Sequence, residues 1–117
     1  MIKMDMKINE HLVQGIKVVT LKGRIDADNS VSIENKLNGL IAGKVIKFIV
    51  DMKEVDYLGS SGIRIFISIS RKLQELSGSF AIISLTPSCQ KIIQSLGIEH
   101  LFNIFEGENE AVQFLQT

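Results

Sequence analysis

The 117 residues suffice for one compact domain with a core of its own and are too few for two. Hydrophobic residues at 45% and charged residues at 22% describe an ordinary soluble globular chain and exclude a disordered one. Thirteen basic side chains balance thirteen acidic ones, so nucleic acid and anionic membrane surfaces are not expected partners.

No apolar run nears the ~20 residues that span a bilayer, and the alternating, charged start "MIKMDMKINE" is not that of a signal peptide. Met4, Met6 and Ile8 alternate with Asp5, Lys7 and Asn9, the period of a half-buried strand. Ile16 to Leu21 is a second strand, rich in β-branched residues. The short link holding Gly15 predicts an antiparallel hairpin. "DADNS" then offers Asp26, Asp28, Asn29 and Ser30 as helix caps. Ile33, Leu37, Leu40 and Ile41 follow at helical spacing, and Gly43 closes that run.

Val45–Val50, "VIKFIV", reads as a central strand ending at Asp51. After the turn "GSSG", residues Gly62, Ile65, Phe66, Ile69, Leu73 and Leu76 trace the apolar face of a long helix that Gly78 ends. Phe80–Leu85 is a further buried strand. Thr86-Pro87 is a cap followed by proline in the first helical position. Cys89, Ile92, Ile93 and Leu96 share one stripe of that helix, which makes the single cysteine a buried core thiol. A lone cysteine excludes an internal disulfide and suits a reducing cytoplasm, the expected location. Gly97 stops the helix, Phe102–Phe105 is a last short strand, and Glu108–Leu115 is a closing helix with acids in its first turn.

The order ββαβαβαβα predicts one α/β domain over residues 1–117. Its sheet is mixed, an N-terminal antiparallel hairpin followed by mainly parallel strands with packed helices. Function in such sheets gathers where strand C-termini meet helix N-termini. Here those places are Gly23–Ser30 and Val55–Gly62.

No phosphate loop, dinucleotide fingerprint, nucleophile elbow or metal-ligand spacing is present, so no catalytic residue, cofactor or metal is expected and the chain does not read as an enzyme. His11 and His100 read as surface residues. Asp26, Asp28, Asp51 and Asp56 read as a solvated rim at one end of the sheet.

The turn "VDYLGSSGIRIF" carries two readings. In the first, Gly59 shapes the turn, Ser60 or Ser61 caps the helix, and Gly62 lets the helix pack close to the sheet. In the second, a phosphoryl group on one hydroxyl is tolerated by the helix N-terminus and changes only what docks there. Ile63 and Ile67, at the edge of the core stripe, would add a small exposed apolar patch, rimmed by Arg64 and Arg71.

Gly23-Arg24-Ile25-Asp26, a strand ending in Asp51, and Gly59-Ser60-Ser61-Gly62-Ile63 entering a helix together resemble the STAS domain of bacterial anti-sigma factor antagonists. The resemblance covers nearly the whole chain. It implies a protein-binding module that, with its serine unmodified, sequesters an anti-sigma factor, usually a serine kinase, and so frees a sigma factor for transcription. The kinase would phosphorylate Ser60, with Ser61 in reserve, and a metal-dependent serine phosphatase would reverse it. The partner surface would take in Asp26, Gly59, Ser61, Gly62, Ile63, Arg64 and Ile67. The best-known members read D-S-S-G, and here Gly59 replaces the aspartate. Two other readings stay open: a receiver-like signalling domain using Asp51, and a STAS scaffold or nucleotide-binding module without a serine switch.

Overall fold

The computed structural model describes residues 6–117; Met4 and Asp5, in the first predicted strand, lie outside the described residues. The elements come in the predicted order: β1 (Lys7–Val13), β2 (Ile16–Ile25), α1 (Ser30–Ala42), β3 (Lys47–Leu58), α2 (Ser60–Glu75), β4 (Ser79–Ile83), α3 (Pro87–Ser95), β5 (Asn103–Phe105) and α4 (Glu108–Gln116). A 3-10 turn over Glu99–Leu101, not foreseen from the sequence, precedes β5.

One five-stranded sheet runs in chain order, β1-β2-β3-β4-β5. β1 and β2 are antiparallel, and the other neighbours are parallel. Each parallel strand is added on the same side of the last, so right-handed crossovers put α1, α2 and α3 on one face. The period-two alternation of the strands then builds two cores. Phe48, Val50 and Met52 of β3 and Phe80 and Ile82 of β4 face α1–α3. Val18, Ile49, Ala81 and Ile83 point the other way, onto Ala111, Val112 and Leu115 of α4. α4 follows the last strand, so no crossover constrains it and it can close the second face.

β3 does not end at Asp51. It continues to Leu58 because β2 continues to Ile25 and stays paired with it, through Gly23↔Val55, Arg24↔Tyr57 and Ile25↔Leu58. Register shifts between Thr20 and Lys22 and between Gly23 and Arg24 break the alternation. The buried residues of this part of β3 are therefore Met52, Val55 and Leu58, spaced by three. On its other side β4 stops at Asp51↔Ile83. There α3 takes over: the Thr86 hydroxyl donates to Val55 O at 2.8 Å and the Ser88 hydroxyl to Asp56 O at 3.3 Å.

Leu76 and Leu96, expected on apolar helix faces, are 50% and 58% exposed. α2 and α3 end at Glu75 and Ser95, so both leucines fall in the terminating turns, off the stripes. Thr86 caps α3 as predicted, its oxygen accepting from the Cys89 N–H. Among the described residues no helix is long and apolar enough to cross a membrane.

Candidate functional site

The two segments singled out in the sequence lie side by side. The Gly59 N–H donates to Ile25 O at 2.8 Å, tying the serine turn to the end of β2. Gly59 is the N-cap of α2, extended at φ −84° and ψ 171°, with no side-chain cap. Its carbonyl accepts from the N–H groups of Gly62 and Ile63 at 3.1 and 3.2 Å. Neither serine is therefore the cap, contrary to the expectation. Ser60 is the first helical residue and is exposed, and Ser61 is half-buried. Their hydroxyls are spared for other use.

Both glycines of the turn are set by close approach. A Cβ on Gly59 would lie 3.1 Å from Ile25 O and 3.2 Å from Tyr57 Cε2. An aspartate here would be a tight fit, with the end of β2 or the tyrosine ring giving by a few tenths of an ångström. A Cβ on Gly62 would lie 2.4 Å from Ile25 Cγ2.

Asp26 organises the facing loop. Its Oδ1 accepts from the N–H groups of Asp28 and Asn29 at 3.0 and 3.1 Å, and its own N–H donates to Asn29 Oδ1 at 3.0 Å. The Asn29 amide also donates to Arg24 O. Asp26 and Asp56 share a pocket of about 430 Å³ with Lys7, Lys22 and Arg24. Asp51 is elsewhere: mid-strand, 3% exposed, its Oδ1 accepting from the Lys53 N–H at 3.0 Å. A buried carboxylate in the middle of a strand is not the accessible phosphate acceptor that a receiver-like site requires. Among the described residues no group of three or more His, Cys, Asp and Glu side chains could hold a metal ion.

The expected apolar patch is smaller than the helical spacing suggested. Ile63 is 8% exposed and belongs to the main core, while Ile67 is half-buried. Arg64 and Arg71 are exposed, as expected. Beside Ile67 and Arg71 the 3-10 turn brings His100 and Leu101 to a hollow of about 260 Å³. Leu101 is 42% exposed and was missed because it sits in no periodic segment. His11 is also at the surface, 3.2 Å from Glu108 of α4.

Cys89 is buried, its thiol 3.5 Å from Val55 O. Burial pushes its pKa up; a hydrogen bond with Thr86 opposes this and the Asp56 carboxylate adds to it. It is an inert core thiol rather than a nucleophile. A hollow of about 760 Å³ lies off the serine turn, at the ends of β4 and β5, and includes Lys53, Ser84, Thr86 and Glu106.

Comparison with known proteins gives one consistent picture. The anti-sigma-F factor antagonist RsfB of Mycobacterium tuberculosis is 24% identical over 98 residues, 84% of this chain and 80% of RsfB. An anti-sigma factor antagonist from Mycobacterium paratuberculosis superposes with a TM-score of 0.85 at 21% identity, covering 97% of this chain and 96% of that one. The Bacillus cell fate determinant SpoIIAA in its phosphorylated form gives 0.68 at 20% identity, covering 92% and 98%. The STAS domain model matches residues 6–111, the span from β1 into α4, and on that match the chain belongs to the STAS domain family.

Proposed function

We propose that this STAS domain is an anti-sigma factor antagonist switched by phosphorylation of Ser60. With Ser60 unmodified it binds an anti-sigma factor, itself a serine kinase, and a sigma factor is released to transcription. The observation that carries the reading is Ser60 itself: exposed, first in α2, and not used as a cap. In the modifying step the Ser60 oxygen forms a bond to the γ-phosphorus of ATP, the bridging bond to the β-phosphate breaks, and ADP leaves. The hydroxyl proton passes to a base of the kinase. A metal-dependent phosphatase hydrolyses the ester and resets the module.

The partner surface in this reading is the turn and its surroundings: Asp26, Ser61, Arg64 and Ile67 make it, while Gly59, Gly62 and Ile63, expected to take part, are buried and shape it from beneath. Ile67 and the newly seen Leu101 supply its apolar contact, and Ile63 supports it from beneath. A phosphoryl group adds about −1.5 to −2 charges at the centre of that surface, which ends binding without disturbing the fold.

The test pairs the protein with its kinase and ATP and locates the phosphate by mass spectrometry. Phosphate on neither Ser60 nor Ser61 would sink the switch. Ser60→Asp should weaken binding on the order of tenfold or more, whereas Ser60→Ala should bind and stay bound in the presence of ATP.

A second reading, a nucleotide-binding STAS module without a serine switch, draws on the pocket beside the turn with Lys7, Lys22 and Arg24. A titration with ATP and GTP that leaves the amide spectrum of the pocket unchanged dismisses it.

A further inference from the structure

Arg24, Tyr57 and Gly59 form a stack beside the serine turn. Arg24 stands opposite Tyr57 in the β2–β3 ladder, and its guanidinium carbon lies 4.3 Å from the centre of the tyrosine ring. Tyr57 in turn reaches along the chain to Gly59. A Cβ built there would be 3.2 Å from the ring and 3.5 Å from the tyrosine hydroxyl. The 3.2 Å contact is a tight one, so a side chain at residue 59 would push the ring by a few tenths of an ångström, and glycine leaves it where it is. The hydroxyl is thereby placed alongside the residue that precedes Ser60.

A guanidinium lying on an aromatic ring uses its face for the stack and keeps the N–H donors of its edge. Among the described residues no carboxylate is in ion-pair contact with Arg24. Its charge is held in place by the ring. The nearby carboxylate of Asp26 is engaged with the N–H groups of its own loop. The phenol thus stands beside the serine turn with the guanidinium stacked on its ring, and the first-turn N–H groups of α2 are capped by no side chain.

Resting on the reading of Ser60 as the phosphate acceptor, we infer that Arg24, held on Tyr57, is the positioning cation that receives a phosphate monoester on Ser60, and that Gly59 makes room for this arrangement. The edge of the guanidinium matches two phosphate oxygens, which an ammonium group cannot do in the same plane. Arg24 thereby favours the doubly ionised ester and holds the modified turn in a defined state. Modification then swaps an open turn for a compact ion pair, so a partner loses both the free hydroxyl and the arginine.

The test needs no kinase. Phosphoserine is incorporated at position 60 of the full chain during translation, and its second ionisation is followed by phosphorus NMR. Free phosphoserine loses that proton near pH 6. The value in the wild-type background should lie below that in Arg24→Gln by about half to one pH unit, with Arg24→Lys in between. Equal values in wild type and Arg24→Gln would overturn the inference. A second readout uses the unsubstituted fold: the Arg24 Nε–H resonance should move between the serine and phosphoserine forms, and an unmoved resonance also counts against it. The two proposals fail separately. If no kinase modifies Ser60 the switch is lost while the titration still reports the contact. If Ser60 is modified but the titration ignores Arg24, only this inference falls.

Discussion

Gly62 is where one atom decides most. Its hypothetical Cβ would sit 2.4 Å from Ile25 Cγ2 and 2.9 Å from Leu58 Cδ1. Ile25 branches at Cβ, so that methyl cannot swing aside without a new rotamer. Alanine would gain up to about 1 kcal/mol of helix propensity, but overpacking costs about 1–3 kcal/mol. Gly62→Ala should therefore lower stability by about 1–2 kcal/mol, seen as an earlier urea midpoint; a later midpoint would contradict the close approach. Cys89 gives a pH signature. Burial, the largest influence, holds its pKa in the folded chain above the ordinary value of 9.0. The unfolded thiol then loses its proton first as pH rises. The stability carried by the protonated thiol is complete below pH 9.0 and is lost as pH climbs towards the folded value. Wild type and Cys89→Ala, compared in denaturant from pH 8 to 10.5, should show a stability gap that narrows in the upper half of the range. A constant gap would mean that the thiol is not held protonated.

At the scale of elements, the serine turn depends on a strand end that no strand supports on one side. Beyond Asp51↔Ile83, β3 leans on α3, chiefly through Thr86, which donates to Val55 O and accepts from the Cys89 N–H. Thr86→Val keeps the shape and removes both bonds, so it should cost about 1–2 kcal/mol. Amide exchange should quicken over Val55–Ile63 and not in α1, and Thr86→Ser should restore most of the protection. Exchange that rises evenly across the chain would show that Thr86 acts on global stability alone. This tail of β3 was also the least legible part of the sequence. The hairpin, the helices and the Thr86-Pro87 start announce themselves by local period and cap chemistry. Beyond Asp51 the polar residues Lys53, Glu54, Asp56 and Tyr57 hide a strand whose buried positions are three apart, because the irregular register comes from β2, some thirty positions earlier. The cap of α2 was misplaced for the same kind of reason. Two hydroxyls looked like caps, but the hydrogen bond from Gly59 to Ile25 O decides which residue stands at the helix start. Ser60 and Asp26 could be proposed from the sequence because they belong to a motif; Leu101 and the Arg24–Tyr57 stack could not, because only the fold brings their side chains together with their neighbours.

Across the whole molecule, the sheet separates two jobs. The face towards α1–α3 buries Ile25, Leu58 and Ile63, the residues that hold the serine turn. The face towards α4 buries Val18, Ile49, Ala81 and Ile83 and contains no residue of the turn. A cavity on the α4 side should therefore weaken the domain without reshaping the serine turn. Leu115 is the test, since it is 1% exposed and lies in the second core. Leu115→Ala removes a buried leucine side chain and should cost about 2–4 kcal/mol, read from denaturant unfolding. In the folded variant, amide resonances of Val18, Ile49 and Ala81 should move, while those of Gly59, Ser60, Ser61 and Gly62 should stay in place. Ile25→Ala, of similar cost, should instead shift the turn strongly, because Ile25 packs directly under Gly62. If Leu115→Ala disturbs Gly59–Gly62 as much as Ile25→Ala does, the sheet transmits strain between its faces, and stability and partner binding cannot be varied independently in this domain.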